Sequence, residues 1–164
     1  MWWVLVAFAL AAPGDPGPYG GSLLPSPSPA PDLHGTHDPF SWQVPATEVN
    51  AGGATTLMLR LVVPPGTHVY RDGIEVRVID PGGLVVGAPD LPPGLKQADP
   101  GDPTGDVREL YDSDVLIAIP VSSPSANTGL FTVALDLRHQ GCKPGLCYPP
   151  VQTAIGALVH VAAR

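Results

Sequence analysis

The chain has 164 residues and a formal net charge of −7, which excludes the basic face that binding to a nucleic-acid backbone requires. Its 22 Pro and 19 Gly beside only 14% charged residues point to many turns or to disorder. The 44% of hydrophobic residues is nevertheless enough for one core if the proline-rich material is concentrated.

It is concentrated. Residues 1–12, MWWVLVAFALAA, form an uncharged apolar run with a small-x-small pattern at Ala9-Leu10-Ala11. Spanning a bilayer takes about 20 residues, so this run is read as the apolar part of a secretory signal, although no Lys or Arg precedes it. No Cys follows to carry a lipid, and no later run is long and apolar enough to span. The expectation is an exported protein, periplasmic or otherwise, that is not an integral membrane protein. Residues 13–39, PGDPGPYGGSLLPSPSPAPDLHGTHDP, read as a solvated, partly polyproline linker, because Pro removes a backbone donor and biases its neighbour toward extended conformations. The folded domain is expected over 40–164.

Within it, apolar residues recur at every second position. Leu57, Leu59, Leu61 and Val63 form one such set, Ile74, Val76 and Val78 another, and Val115, Ile117, Ile119 and Val121 a third. Val133, Leu135 and Leu137 follow, then Ile155, Ala157, Val159 and Val161. Period two with one apolar face is a half-buried strand. Between the sets lie PPG at 64–66, DPGG at 80–83, LPPG at 91–94, DPGDPTGD at 99–106 and SSPSANTG at 122–129, all rich in residues that fix or free φ for reversals. Short strands joined by such turns predict an all-β antiparallel sandwich.

The only two cysteines flank a turn in HQGCKPGLCYPP, residues 139–150. Pro144 followed by Gly145 is the signature of a type II turn, and the alternating runs on either side make a hairpin in which Cys142 and Cys147 face each other. A bridge there closes a loop of about six residues and stabilises by roughly 2 kcal/mol, little for a staple. An exported protein with two nearby cysteines commonly has a structural disulfide all the same. A structural bridge, a redox pair and a metal site stay open on spacing alone.

The segment GCKPGLCYPP closely resembles the active-site signature of the N-terminal periplasmic domain of DsbD-type thiol:disulfide interchange proteins, matched here at Gln140, Gly141, Cys142, Gly145, Cys147, Tyr148, Pro149 and Pro150. GTHVYRDGIEV at 66–76 is similar to that family's Gly-x-x-x-Tyr-Arg strand, and LPPG with RELYDSDVLIAIPV at 108–121 to the segment after its cap loop. The resemblance implies an immunoglobulin-like sandwich carrying a redox hairpin. It implies that Cys142 and Cys147 are the catalytic pair, with Cys147 forming the mixed disulfide, and that Tyr70, His68, Glu109, Tyr111 and Tyr148 flank the site. His68 stands where the family has an aromatic residue, and the stretch 98–106 lacks the aromatic of the family's cap. The sequence ends at Arg164 without the family's transmembrane and thioredoxin-like segments, so the implied partners are thioredoxin-like periplasmic proteins and a separate membrane electron donor. A monomer without cofactor is expected. The competing reading is a non-catalytic interaction module with a structural disulfide.

Other candidates are weaker. Lys143 and His139 would lower a thiol pKa if they approached it, while Asp99, Asp102 and Asp106 would oppose thiolate formation; ordinary solvated positions are the bland reading of the two cations. His34 and His37, with His160, His139 and the cysteines, contain metal-ligand types, but linker histidines do not fix the geometry a metal needs, and no metal is expected. Phe40 and Trp42 are read as core or strand-edge residues.

Overall fold

The computed structural model describes residues 37–99, 104–124 and 127–163. The expected signal segment, the linker up to residue 36 and the middle of the 99–106 stretch lie outside them. Among the described residues, thirteen strands form three sheets. The first runs β1 (Ser41–Gln43), β3 (Ala54–Val62), β9 (Val115–Ser122), β6 (Val85–Val86). The second runs β2 (Thr47–Asn50), β13 (Val151–Ala162), β10 (Gly129–His139), β5 (Glu75–Asp80). The third runs β12 (Leu146–Cys147), β11 (Gly141–Lys143), β4 (His68–Tyr70), β8 (Val107–Tyr111), β7 (Leu95–Ala98). A 3-10 turn at Arg71–Gly73 follows β4.

The period-two residues build the core. Leu57, Leu59 and Leu61 of β3 and Val115, Ile117, Ile119 and Val121 of β9 pack with Val133, Leu135 and Leu137 of β10 and Ala157, Val159 and Val161 of β13. Each is at most 2% exposed, and truncating one of the leucines to Ala costs about 2–5 kcal/mol. The intervening residues of β3, such as Thr56 and Arg60, face solvent. The chain is thus the all-β, immunoglobulin-like sandwich that the alternation predicts.

Two details differ from the expectation. β2 pairs with β13 in parallel, Val159 opposite Thr47 through Ala162 opposite Asn50; alternation looks the same in either direction, so only packing decides it. LPPG at 91–94 is not a reversal. It carries the chain from the Asp90–Ala118 bridge on the first sheet to β7 on the third. Three side chains hold it there: Arg71 donates to the carbonyls of Leu91 and Pro92, Tyr111 Oη to Pro92 O at 2.6 Å, and Gly94 N donates to Glu109 Oε1 at 2.6 Å.

The long β10–β13 ladder positions the cysteines. Its register runs from Gly129 opposite Val161 to His139 opposite Val151, which gathers residues 140–150 into the tip of one hairpin. That tip leaves the second sheet. Its strand β11 pairs with β4, Gly141 opposite Val69 and Cys142 opposite His68, so the cysteines belong to the third sheet.

Candidate functional site

The tip closes as its sequence dictates. Gly145 has φ +76°, a left-handed value that a side chain resists, and the turn sets Cys142 opposite Cys147 and Lys143 opposite Leu146. The two cysteines are joined in a disulfide with Cα atoms 4.0 Å apart. Tyr148 N donates to Gly141 O at 2.9 Å, and Gln140 Nε2 donates to Tyr148 O at 3.3 Å, tying the second arm back to the first. The two sulfurs sit in unlike surroundings. Cys142 is 1% exposed, clustered with Tyr70 and Leu110, whereas Cys147 is exposed.

Beneath the hairpin lies an aromatic floor. A Cβ built on Gly141 would meet Phe40 Cε2 and Cζ at 2.1 Å, so the ring of Phe40 fills the space that any side chain at 141 would need. Phe40 meets His139 and Tyr148 edge-on, with centroids 5.7 and 5.9 Å apart. Trp42 Nε1–H donates to His139 Nδ1 at 3.1 Å. An indole can only donate, so Nδ1 is unprotonated and Nε2–H donates to Asp38 Oδ2 at 2.8 Å. His139 is therefore a buried structural residue, 2% exposed. The expectation of a solvated histidine near a thiol is corrected: odd positions of β10 face the core, and His139 ends that row. Lys143 is exposed, as expected.

The exposed sulfur borders a cavity of about 330 Å³ walled by Tyr70, Asp72, Asp99, Arg108, Arg138 and Gln140. Tyr70 Oη donates to Asp99 Oδ1 at 2.5 Å and lies 3.2 Å from His68 Nε2. The Arg108 guanidinium stacks 3.9 Å from the Tyr70 ring centroid and pairs with Asp72 at 2.7 Å and Asp99 at 3.6 Å. Arg108 thus joins both cavity carboxylates. Burial pulls the His68 pKa below its usual value, with Asp99 opposing part of the shift, which favours the neutral imidazole.

Of the residues named from sequence, Cys142, Cys147, Tyr70 and His68 come together on the third sheet, and Tyr148 lies in the floor. Glu109 and Tyr111 face the 91–94 connection, and burial raises the Tyr111 pKa. Asp99 is buried in the cavity wall, and its N–H donates to Asp106 O at 2.9 Å; Asp102 and His34 lie outside the described residues. His160 is exposed, 3.5 Å from Glu48. Among the described residues no three His, Cys, Asp or Glu are grouped to hold a metal ion, and no helix is long and apolar enough to cross a membrane. Sequence reasoning did not single out Arg108, Asp72 or Asp38. Arg108 opens the segment RELYDSDVLIAIPV, but its stacking on Tyr70 leaves no local signal.

The family model described as "Thiol:disulfide interchange protein DsbD, N-terminal" matches residues 40–158. The thiol:disulfide interchange protein DsbD of Pasteurella multocida (strain Pm70) is 30% identical over 105 residues, 64% of this chain but only 16% of that protein's length. Two solved structures are similar. One is the reduced N-terminal domain of Neisseria meningitidis DsbD: 24% identity, TM-score 0.47, 68% of this chain and 86% of that one. The other is a complex between the DsbD N-terminal and PilB N-terminal domains from Neisseria meningitidis: 23% identity, TM-score 0.51, 77% of this chain and 88% of that one. The latter supports the sandwich fold.

Proposed function

This chain belongs to the family of DsbD N-terminal domains, and we propose on that ground that it is an exported thiol–disulfide exchange module whose Cys142/Cys147 pair passes electrons to protein disulfides. The observation that carries the reading is the asymmetry of the pair: one sulfur exposed at a cavity, the other buried behind it. In the dithiol form, the Cys147 thiolate attacks a partner disulfide, forming a mixed disulfide and releasing one partner thiolate. Cys142 then attacks the Cys147 sulfur, expelling the second partner sulfur with its electron pair. Two electrons leave the domain, the partner ends as a dithiol, and the domain ends as the disulfide described above. A donor dithiol reloads it by the reverse sequence.

The rest of the reading follows from this chemistry. A leader at 1–12 and a linker at 13–39 deliver the domain 40–164 to the periplasm, where disulfide exchange can operate. Its acceptors are thioredoxin-like periplasmic proteins, its electrons come from a membrane-embedded donor, and it acts as a monomer. Tyr70, His68 and Tyr148 shape the surroundings of the pair, while Glu109 and Tyr111 fix the 91–94 connection. The solved complex between the DsbD N-terminal and PilB N-terminal domains from Neisseria meningitidis supports a protein partner here.

The test is the reduction potential of the pair, measured by equilibrating the chain in glutathione or dithiothreitol buffers. Exchange predicts a value of roughly −180 to −270 mV. A value below about −300 mV would mark the bond as a structural staple and overturn the proposal.

A further inference from the structure

We infer that His68, Tyr70 and Asp99 form a proton relay for the buried thiol of Cys142, with His68 as its general base; the inference rests on the exchange reading above. The need for such a relay comes from burial. To attack the mixed disulfide, Cys142 must lose its proton, yet it is 1% exposed and packed with Leu110 and Tyr70. An apolar enclosure disfavours the thiolate and keeps solvent bases away. The proton needs an acceptor inside the protein.

The fold supplies one. Cys142 lies opposite His68 in the β11–β4 register and opposite Cys147 in the β11–β12 register. Side chains of directly opposed residues share a face, with Cβ atoms about 4.5–5.5 Å apart, so Cys147, Cys142 and His68 form one row across three strands. The hydrogen bonds assign the imidazole tautomer. Tyr70 Oη spends its proton on Asp99, so its oxygen accepts the Nε2–H of His68. Nδ1 is left unprotonated, on the ring atom next to the Cβ side that Cys142 flanks. Among the described residues, the charged groups around this chain are Asp99, from the segment after β7, Arg108 of β8, which covers the Tyr70 ring and is itself paired with Asp72, and Arg138 of β10, which lines the same cavity. The lowered pKa of His68 keeps the ring neutral and able to accept.

The steps balance. Cys142 gives its proton to Nδ1 of His68, the Nε2 proton passes to Tyr70 Oη, and the Tyr70 proton passes to Asp99. Asp99 lines the same cavity as Cys147 and releases the proton to solvent there. The Cys142 thiolate bonds to the Cys147 sulfur as the bond between Cys147 and the partner breaks, and the partner sulfur leaves with the electron pair.

The experiment uses the full chain, reduced and mixed with glutathione disulfide, with acid quenching and mass spectrometry to follow the glutathione adduct on Cys147. In the wild type the adduct forms and resolves, and resolution is independent of pH above neutrality. In His68→Phe the adduct forms at the wild-type rate, but at pH 6.5 it resolves about 10²-fold more slowly. Its resolution rate goes on climbing with pH through the ordinary thiol range near about 8.5, because burial raises the thiol pKa. Tyr70→Phe and Asp99→Asn slow resolution in the same direction and carry the test if His68→Phe does not fold by near-ultraviolet circular dichroism. A merely structural role would disturb both steps, or neither, and would leave the pH profile alone. Wild-type resolution rates and profiles in all three variants would overturn the relay. A slow His68→Phe beside unaffected Tyr70→Phe and Asp99→Asn would overturn the onward path. A wild type that forms no adduct would sink the exchange reading itself, and the relay with it.

Discussion

Gly141→Ala tests how the hairpin is seated. The new Cβ would lie 2.1 Å from Phe40 Cε2 and Cζ and 2.8 Å from Cε1, inside any permitted contact. The ring cannot swing aside freely, because His139 and Tyr148 flank it and it is 7% exposed. Overpacking of this kind costs about 1–3 kcal/mol, and the contacts here place the substitution at the upper part of that range, about 2–3 kcal/mol. Phe40→Leu removes all three clashing atoms, since leucine ends at Cδ, at a cost of about 2 kcal/mol for lost burial. The two changes must therefore couple. In the Phe40→Leu background the alanine should cost nearly nothing, giving a double-mutant interaction of about 2 kcal/mol, well beyond the additivity of independent sites. Urea unfolding of the oxidised wild type, both single variants and the double variant measures it. Additive costs would show that Gly141 is not held by Phe40 and would refute the reasoning.

His139→Leu strips partners from the Trp42 indole N–H and the Asp38 carboxylate, and should lower stability by about 2–3 kcal/mol; an unchanged urea midpoint would contradict the floor described here. In the reduced protein, Cys147 should react with iodoacetamide at least about tenfold faster than Cys142, because access and thiolate character control thiol reactivity; peptide mapping of the partly alkylated protein gives the order, and equal rates would refute it. Asp114 is held below its ordinary value of 3.8 by the hydrogen bond from Val63 N–H and then by Arg60. A depressed carboxylate contributes stability that is full above its unfolded value and is lost as pH falls through the folded one. The urea-midpoint difference between wild type and Asp114→Asn should accordingly be constant near neutrality and shrink under acid, and a difference that grows on acidification would contradict the sign.

The strands were legible because alternation is a local signal: Leu57 to Val63 and Val115 to Val121 name their buried faces without any knowledge of partners. The cysteine turn was legible for the same reason, since Pro144-Gly145 constrains only its neighbours. What stayed hidden depends on residues far apart in sequence. His139 sits one step from a polar turn and reads as solvated, yet its partners are Trp42 and Asp38, 97 and 101 positions away. Asp99 reads as one acid in an acidic loop until Tyr70, 29 positions earlier, donates to it. The transfer of the hairpin tip onto the third sheet likewise follows from pairing with β4, which no periodicity records.

That short hairpin also sets how folding and oxidation are linked. Around a closed cycle, the extra folding stability of the bridged form equals the difference between the pair's potentials in the folded and unfolded chain. With Cys142 and Cys147 five positions apart, loop-closure entropy yields about 2 kcal/mol, which for two electrons is only about 40 mV. Conformational work on the chain is thus a small part of what each electron pair carries. If the domain exchanges disulfides as proposed, it can be charged and discharged many times with little work against its fold, and the voltage at which it would operate is left to the atoms lining the cavity.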